Sequence, residues 1–268
     1  MKRIFILFSF FIPLVTFAQN TPHGASDFAM GNTGVANSSV WSVNNNQAAM
    51  ALEDATSIAI YYMNTVAVPE LANASVAFNY KLKGNGALGL LYSSFGFIQY
   101  NRQRLGFGYG LQLTDGLYAG AGLNMIMIHQ PDYYGNIYTV TAEASLLYKP
   151  NEKLSIGSHL YNFVRTKYIA SDNEPMIFTL GAGYRFSEKA YATLEFEKNI
   201  LLPLSLKWGA SYMLIEDFDV YLGGILQGAT YNYTFGLGYK VSSFAVNMGF
   251  LLDTYLGVKA AVDIRYRF

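Results

Sequence analysis

The chain contains no cysteine among its 268 residues. This absence excludes disulfide bonds, thiolate catalysis and metal sites with thiolate ligands. Only three histidines are present, His23, His129 and His159, and none lies at a spacing typical of metal ligands or beside an obvious nucleophile. The sequence therefore predicts no catalytic residues, no metal and no cofactor, and we do not expect an enzyme.

Charged residues and long apolar runs are also scarce. Asp, Glu, Lys and Arg make up 13% of the chain and aromatic residues 16%, whereas about 25% charged residues is typical of soluble domains. No stretch after Val15 reaches the roughly 18 apolar residues of a membrane-spanning helix. The hydrophobicity must therefore be distributed as alternation along strands.

The N-terminus has the pattern of a secretory signal peptide. Lys2 and Arg3 precede an apolar run from Ile4 to Val15, which is too short to span a membrane as a helix. We predict cleavage after residue 18; a buried N-terminal helix is the alternative. Without Lys2 and Arg3, 16 basic residues remain against 18 acidic ones, a net charge of −2 that gives no reason to expect a nucleic-acid partner.

Large apolar and small or polar residues alternate in many segments. In the last ten residues, one parity is apolar, from Ala260 to Phe268, and the other carries Asp263, Arg265 and Arg267. Successive side chains of a strand point to opposite faces. Bulky apolar groups facing lipid and polar groups or glycines facing a wet lumen are typical of a transmembrane β-barrel, with outer-membrane lipids as partners. A soluble antiparallel sandwich is the alternative.

About fourteen strands are predicted, at 57–64, 74–82, 87–97, 102–113, 117–128, 137–148, 154–163, 176–186, 190–198, 204–214, 219–226, 231–239, 244–252 and 257–268. Every second connection is a tight polar turn, and the intervening ones are mostly longer, notably 129–136 and 164–175. Short periplasmic turns and longer outer loops are typical of bacterial outer-membrane barrels. We therefore predict an all-β, antiparallel outer-membrane barrel over residues 57–268, with periplasmic termini.

Residues 19–56 are rich in Gly, Ala, Ser and Asn and lack sustained alternation, with one helix-compatible stretch near 46–54. A barrel of about fourteen strands is too wide to be filled by its own side chains. We predict that this segment is a plug, and the alternative is a disordered periplasmic leader. The predicted plug residues, which permit close turns or satisfy polar groups, are Gly24, Gly31, Gly34, Asn45, Asn46 and Gln47.

Charged residues of both signs fall opposite the large apolar residues of the strands. Charges on the lipid face cost about 2 to 4 kcal/mol at midplane, so they collect inside the barrel. We predict that these charges form internal ion pairs that hold the plug to the wall. An ion pathway is the alternative. The predicted lumen residues are Arg104, Glu143, Arg185, Glu195, Lys207, Asp263 and Arg265.

The stretch from Gly24 to Ala51 resembles the N-terminal segment of the FadL-like outer-membrane superfamily, particularly the Bacteroidetes proteins related to PorV and PorQ. Tyr161 to Arg165 in the barrel looks similar too, although Ser26 and Gln47 replace an Arg and a Pro that are common in the family. The resemblance rests on Gly24-Ala25, Met30-Gly31, Gly34-Val35-Ala36, Trp41 and Asn46-Gln47-Ala48.

This resemblance implies uptake or passage of a small hydrophobic ligand, by capture at apolar loops, movement along the plug and escape through a gap in the wall. Phe95 and Phe97 flank Gly96, where a glycine could interrupt the strand ladder. The expected ligand-binding residues are Met30, Val35, Trp41, Phe95 and Phe97. Similarity to PorV and PorQ implies the alternative, a non-enzymatic component or scaffold of the type IX secretion apparatus with secretion proteins as partners. A structural porin is a further possibility.

Overall fold

Fourteen antiparallel strands close into one barrel in the computed structural model, which describes residues 24–66, 68–130, 135–169, 172–254 and 257–268. The predicted signal peptide lies outside the described residues. The wall consists of β1 (Ser57–Thr65), β2 (Val68–Lys81), β3 (Gly86–Phe97), β4 (Tyr100–Thr114), β5 (Leu117–Gln130), β6 (Gly135–Tyr148), β7 (Leu154–Tyr161), β10 (Ile177–Arg185), β11 (Ala190–Asn199), β12 (Ser205–Ile215), β13 (Phe218–Gln227), β14 (Thr230–Val241), β15 (Phe244–Asp253) and β16 (Gly257–Arg267). Two short strands, β8 (Lys167–Ile169) and β9 (Asp172–Asn173), form a separate hairpin.

The alternation of side chains accounts for the closed wall. On β14, Tyr233 and Phe235 are 60% and 43% exposed, whereas Thr234 between them is 2% exposed. The outward-facing apolar side chains form a wide band, and within the described residues no second sheet packs on them. The alternative prediction of a soluble antiparallel sandwich is therefore wrong. The predicted strand count and fold class are confirmed. Pairing of β1 with β16 completes the ring, with Ser57 opposite Arg267, so both ends of the barrel chain lie at the same rim.

The structure differs from the sequence prediction at several strand ends. β7 ends at Tyr161 rather than at residue 163, because the backbone turns at Asn162 with φ of 50°. The hairpin of β8 and β9 falls in a connection that carries no alternation in sequence, and it was not predicted. β2 begins at Val68, six residues before its predicted start at residue 74.

The expected difference in loop length is only partly present. Three connections at the rim opposite the termini join strands that are two residues apart, β1 to β2, β3 to β4 and β13 to β14. Strands extend further than predicted, up to the 15 residues of β4. Residues that were predicted to form loops therefore belong to strands. At this rim the connection from β7 to β10 is long. The prediction that the connections at this rim are mostly longer than the turns at the other rim is therefore wrong.

Residues 24–56 contain three short helices: α1 (Ala25–Ala29), α2 (Ser42–Asn45) and a 3-10 helix (Gln47–Leu52). The predicted helical stretch near 46–54 overlaps the 3-10 helix, whose first turn is capped by the Asn46 side chain accepting from the amide N–H of Ala48. The helix α1 was not predicted. Within the described residues no helix has the length and apolar character needed to cross a membrane.

Candidate site in the barrel lumen

Inward-facing glycines make room for the N-terminal segment, residues 24–52. A Cβ atom at Gly157 of β7 would overlap the carbonyl oxygen of Val35, and one at Gly110 of β4 would overlap that of Gln47. On β13 a Cβ at Gly223 would overlap the amide nitrogen of the segment's own Gly31. These strands lie in separate sectors of the barrel. The segment therefore crosses the lumen and contacts the inner wall in each of these sectors. These glycines, on the strand face opposite the aromatic residues, therefore leave space for the backbone of the N-terminal segment.

Gly157→Ala should weaken the seating of the segment. The new methyl group meets backbone rather than the end of a flexible side chain, and overpacking of this kind costs about 1 to 3 kcal/mol. We expect faster proteolysis within residues 24–52 while the barrel itself stays folded on gels. Gly224→Ala is the control, because its Cβ would meet the side chains of Tyr231 and Trp208 in the wall. Equal protease sensitivity in the two variants would contradict the proposed packing.

Glu195 on β11 holds the central turn of the segment. Its Oε2 accepts hydrogen bonds from the amide N–H groups of Gly34 at 3.0 Å and Val35 at 3.1 Å. Lys207 on β12 lies 3.7 Å from Glu195 and 2.5 Å from Glu197, so the carboxylate charge is compensated from the neighbouring strand. The backbone amides and the lysine together satisfy a buried charge that would otherwise be costly.

A second anchor lies on β5, β6 and β7. Glu143 accepts a hydrogen bond from Gln47 of the segment, accepts another from Asn124 at 2.6 Å, and lies 2.8 Å from Nε2 of His159. On the adjacent strand β4, Arg104 donates to the side chain of Asn44. His159, which sequence reasoning left without a role, is therefore a buried partner of a lumen carboxylate.

The third anchor joins α1 to β16. Asp263 accepts from the amide N–H of Ala25 at 2.7 Å and pairs with Arg265, which also donates to the hydroxyl of Ser26. Within the segment, Asp27 accepts from Asn37 and Asn45, both at 2.9 Å. Burial of its carboxyl group raises the pKa of Asp27 to about 7, and the nearby charge of Arg265 opposes that rise.

Of the predicted lumen residues, Arg185 is placed differently from the rest. It is exposed at the rim that carries the chain termini, where its guanidinium lies 5.5 Å from the centre of the Tyr191 ring. It lines a cavity of about 350 Å³ at this mouth, together with Asp27 and basic and acidic side chains of the turns. The described residues contain no group of three or more His, Asp or Glu side chains arranged to hold a metal ion.

An apolar sector occupies another part of the inner wall. Trp41 is fully buried and its ring meets that of Tyr61 edge-on, with centroids 5.7 Å apart. Apolar groups face inward here although the inner face of a membrane barrel is ordinarily polar. The cluster joins segment residues to the wall strands β1, β2, β3, β13, β15 and β16, through Ala25, Phe28, Val40, Val43, Met50, Ala59, Met63, Ala77, Ala87, Leu91, Ile225, Leu251 and Ala261.

The five expected ligand-binding residues do not converge on one place. Trp41 belongs to the apolar sector, whereas Met30 packs with Ala29 and Tyr221 in a separate cluster. Val35 lies beside Glu195 and borders a cavity of about 20 Å³. Phe95 is half-buried near the rim opposite the termini, and Phe97 is 41% exposed at the end of β3.

Gly96 does not interrupt the ladder between β3 and β4. It has φ of 105°, yet it remains opposite Asn101, and the pairing continues to Phe97 opposite Tyr100. The carbonyl of Tyr100 fills the space that a Cβ would need, which explains the glycine without a break. On the side of β4 the wall is therefore continuous at Gly96.

The wall is irregular on the other side of Phe95. Pairing of β2 with β3 ends at Asn73 opposite Phe95. Between β1 and β2 the register shifts from Met63 opposite Asn73 to Thr65 opposite Val68, so four residues of β2 face one residue of β1. A bulge of this kind locally disrupts the ladder and bends the strand. It lies at the edge of the apolar sector, which includes Met63.

Sequence reasoning missed one buried constellation on the inner wall. Glu174, in the connection before β10, accepts from the guanidinium of Arg102 at 2.6 Å and from the Tyr161 hydroxyl at 2.5 Å. Asn162 donates to the backbone carbonyl of Glu174 at 2.8 Å. Glu174 lies in a connection without periodicity, so no pattern in the sequence pairs it with β4.

The fold of the chain is similar to the folds of two toluene transporters and of a FadL homologue. The Pseudomonas putida toluene transporter TodX aligns with a TM-score of 0.73 at 11% identity, over 93% of this chain and 99% of that one. The Ralstonia pickettii toluene transporter TbuX gives 0.69 at 12% identity, over 93% and 99%. A Pseudomonas aeruginosa FadL homologue gives 0.67 at 10% identity, over 91% and 98%.

These likenesses concern the fold. No protein-family model matches the sequence, and no match was found among curated proteins. The FadL part of the predicted resemblance is supported by structure, whereas the comparisons give no support to a relation with PorV or PorQ.

Proposed function

We propose that this chain is a non-enzymatic protein of the bacterial outer membrane that passes small hydrophobic molecules. The observation that carries the proposal is the apolar sector of the inner wall, where Tyr61, Leu91 and Leu251 face inward and join apolar residues of the N-terminal segment. A barrel that conducts only water and ions is expected to have a polar inner face without such an apolar sector. The fold shared with two toluene transporters supports the same class of ligand.

In the proposed path, an apolar molecule enters at the rim opposite the chain termini and moves along the apolar sector past Trp41. The segment of residues 24–52 acts as a plug that keeps polar solutes out. The bulge in β2 opposite Asn64, next to Phe95, is the proposed lateral exit. The chain termini face the periplasm in this arrangement.

The test uses one polar substitution inside the apolar sector. Leu91→Asn keeps the side-chain size but buries an amide without a partner, which weakens an apolar site. We expect toluene binding to the purified protein to weaken roughly tenfold, the equivalent of about 1.4 kcal/mol. Trp41→Ala is less suitable, because the cavity it creates could itself bind a small hydrocarbon.

Leu90→Asn is the matched control, since Leu90 is the neighbouring residue on the outer face and is 40% exposed. It should leave toluene binding unchanged in assembled protein. Absence of toluene binding and uptake in the wild type would overturn the proposal. If loss of the protein instead depleted exported proteins from the cell surface, the secretion role implied by the PorV and PorQ resemblance would replace it.

A further inference from the structure

Asp27 differs from the other buried acidic side chains of the barrel and its N-terminal segment. Among the described residues, each of the others forms an ion pair with a basic side chain. These pairs are Glu53 with Arg267, Glu143 with His159, Glu174 with Arg102, Glu195 with Lys207, Asp219 with Lys240 and Asp263 with Arg265. Asp27 is 3% exposed and accepts hydrogen bonds from the neutral amide groups of Asn37 and Asn45 instead, both at 2.9 Å. Within this part of the chain it is therefore the buried carboxyl group that has no ion-pair partner.

The two hydrogen bonds of Asp27 connect separate parts of the segment. Asp27 lies in α1, Asn37 follows in the connection to α2, and Asn45 is the last residue of α2. Asn37 also accepts from the hydroxyl of Tyr191 on β11 at 2.5 Å. The carboxyl group of Asp27 thus holds the fold of the segment, and through Asn37 it supports a contact with the wall.

Ionisation of Asp27 is costly in this position. A buried carboxylate whose charge is not compensated by a cation loses more hydration free energy than two neutral amide groups return. Burial accordingly raises the pKa of Asp27 to about 7, and the charge of Arg265, which is paired with Asp263, opposes this rise only in part. A neutral carboxyl group can retain both partners, because each amide side chain has a donor and an acceptor.

The neighbours of Asp27 come from several strands of the wall. β14 and β15 contact α1 through Thr234, Gly236 and Gly249, which do not titrate. The titratable groups that face the carboxyl group are Arg265 and Asp263 of β16, Glu195 and Tyr191 of β11, and Tyr221 of β13. Since Arg265 and Glu195 already have partners of opposite charge, Asp27 is the group in this set whose own ionisation is not compensated.

Protons have access to Asp27 from the rim that carries the chain termini. The carboxyl group lines the cavity of about 350 Å³ at this mouth, which is periplasmic in the proposed arrangement. Asp219 and Lys240 line the same cavity and pair with each other at 2.8 Å, so the charge of Lys240 is already compensated. The protonation of Asp27 can therefore follow the pH on this side of the membrane.

We propose that Asp27 is a pH-sensitive latch of the N-terminal segment: its neutral carboxyl group keeps the segment seated in the lumen, and its ionisation releases the segment. The inference rests on the proposed role of the segment as a plug, and it adds regulation to that role. Acid on the side of the chain termini then keeps the barrel closed, whereas neutral or alkaline pH favours opening.

The direction of the pH response follows from the proton that the seated segment retains. The pKa of Asp27 is about 7 in the seated segment and returns towards its ordinary value of 3.8 when the carboxyl group reaches water. The seated form is thus favoured most below about pH 4, loses this advantage as the pH rises towards about 7, and changes little above about pH 8.

The test records single channels of the protein in planar bilayers from about pH 5 to about pH 8, at constant ionic strength. The fraction of time that the wild type spends in its conducting level should rise at least about tenfold between about pH 5 and about pH 7. Asp27→Asn keeps the size of the side chain and cannot ionise, so its barrel should stay closed across this range. Asp219→Asn is the matched control, because it removes a carboxyl group of the same cavity that is paired with Lys240, and it should keep the pH response of the wild type.

An equal pH response in Asp27→Asn and the wild type, or a wild type whose opening does not rise with pH, would overturn the inference. Infrared difference spectra provide a measurement that does not need the variant to assemble. In the wild type, the C=O band of a protonated buried carboxyl group should be present at about pH 5 and lost by about pH 8. Absence of this band at the lower pH would also overturn the inference.

Failure of this inference can be told apart from failure of the proposed function. Toluene binding by a wild type that opens independently of pH would leave hydrophobic passage intact and remove only the latch. The expected pH response without any toluene binding would leave the latch and overturn the proposed ligand. Absence of both the pH response and toluene binding would overturn both.

Discussion

Deletion of residues 24–52, the proposed plug, should turn the barrel into an open pore. The segment crosses the lumen and meets the wall at Glu195, Glu143 and Asp263, so its removal leaves these inward side chains facing water. Barrels of 16 to 18 strands leave an aqueous channel and those of about eight are filled by side chains, so fourteen strands without a filling segment should conduct. Single-channel recordings in planar bilayers should show a large rise in conductance.

Retention of heat-modifiable migration on gels would show that the deleted form still assembles, because a closed barrel keeps all its backbone hydrogen bonds internal. An assembled deletion variant that conducts no better than wild type would mean that the segment is not what blocks the lumen. Gly157→Ala, which only loosens the segment, should give an intermediate conductance.

Phe235→Arg should destabilise the barrel by about 2 to 4 kcal/mol, the cost of a cation at the middle of the lipid-facing surface. Phe235 lies near the centre of β14 and stacks on Phe250 of β15, with ring centroids 5.2 Å apart. Urea unfolding in lipid vesicles measures the loss of free energy. A cost below about 1 kcal/mol would place this face outside the hydrocarbon region.

The control for this substitution should carry the same charge on the inner face. Asn232→Arg is suitable, because Asn232 is half-buried near the rim of the same strand. Thr234 is unsuitable, since its hydroxyl donates to the carbonyl of Ala29 and accepts from the amide of Gly31. Thr234→Arg would displace the segment. The measured loss of stability would then reflect the packing of the segment rather than contact with lipid.

The strands were the most predictable part of the molecule. Whether a residue such as Tyr233 faces lipid is decided by its neighbours at two-residue spacing, which the sequence displays directly. Strand ends were less predictable, as at Tyr161, because the turn at Asn162 depends on where Glu174 and the next strand return. Alternation therefore defines a strand better than it defines the point at which the strand stops.

The lumen contacts were not predictable in the same way. The charge of Glu195 and its inward parity follow from the sequence, but its partners Gly34 and Val35 lie about 160 residues away along the chain. Nothing local distinguishes Glu195 from Glu197 as the residue that accepts both amides. The same holds for Arg102, whose partner Glu174 is in an aperiodic connection.

The sequence by itself determined the barrel, its strand number and its lipid-facing side, because each follows from local alternation and from the requirement that every backbone group in a bilayer be hydrogen-bonded. Only the tertiary structure decided which glycines admit the N-terminal segment, which carboxylates hold it, and that apolar residues of β1, β3 and β15 gather in one sector. Those features depend on barrel closure and register, which bring residues distant in sequence to the same level of the lumen.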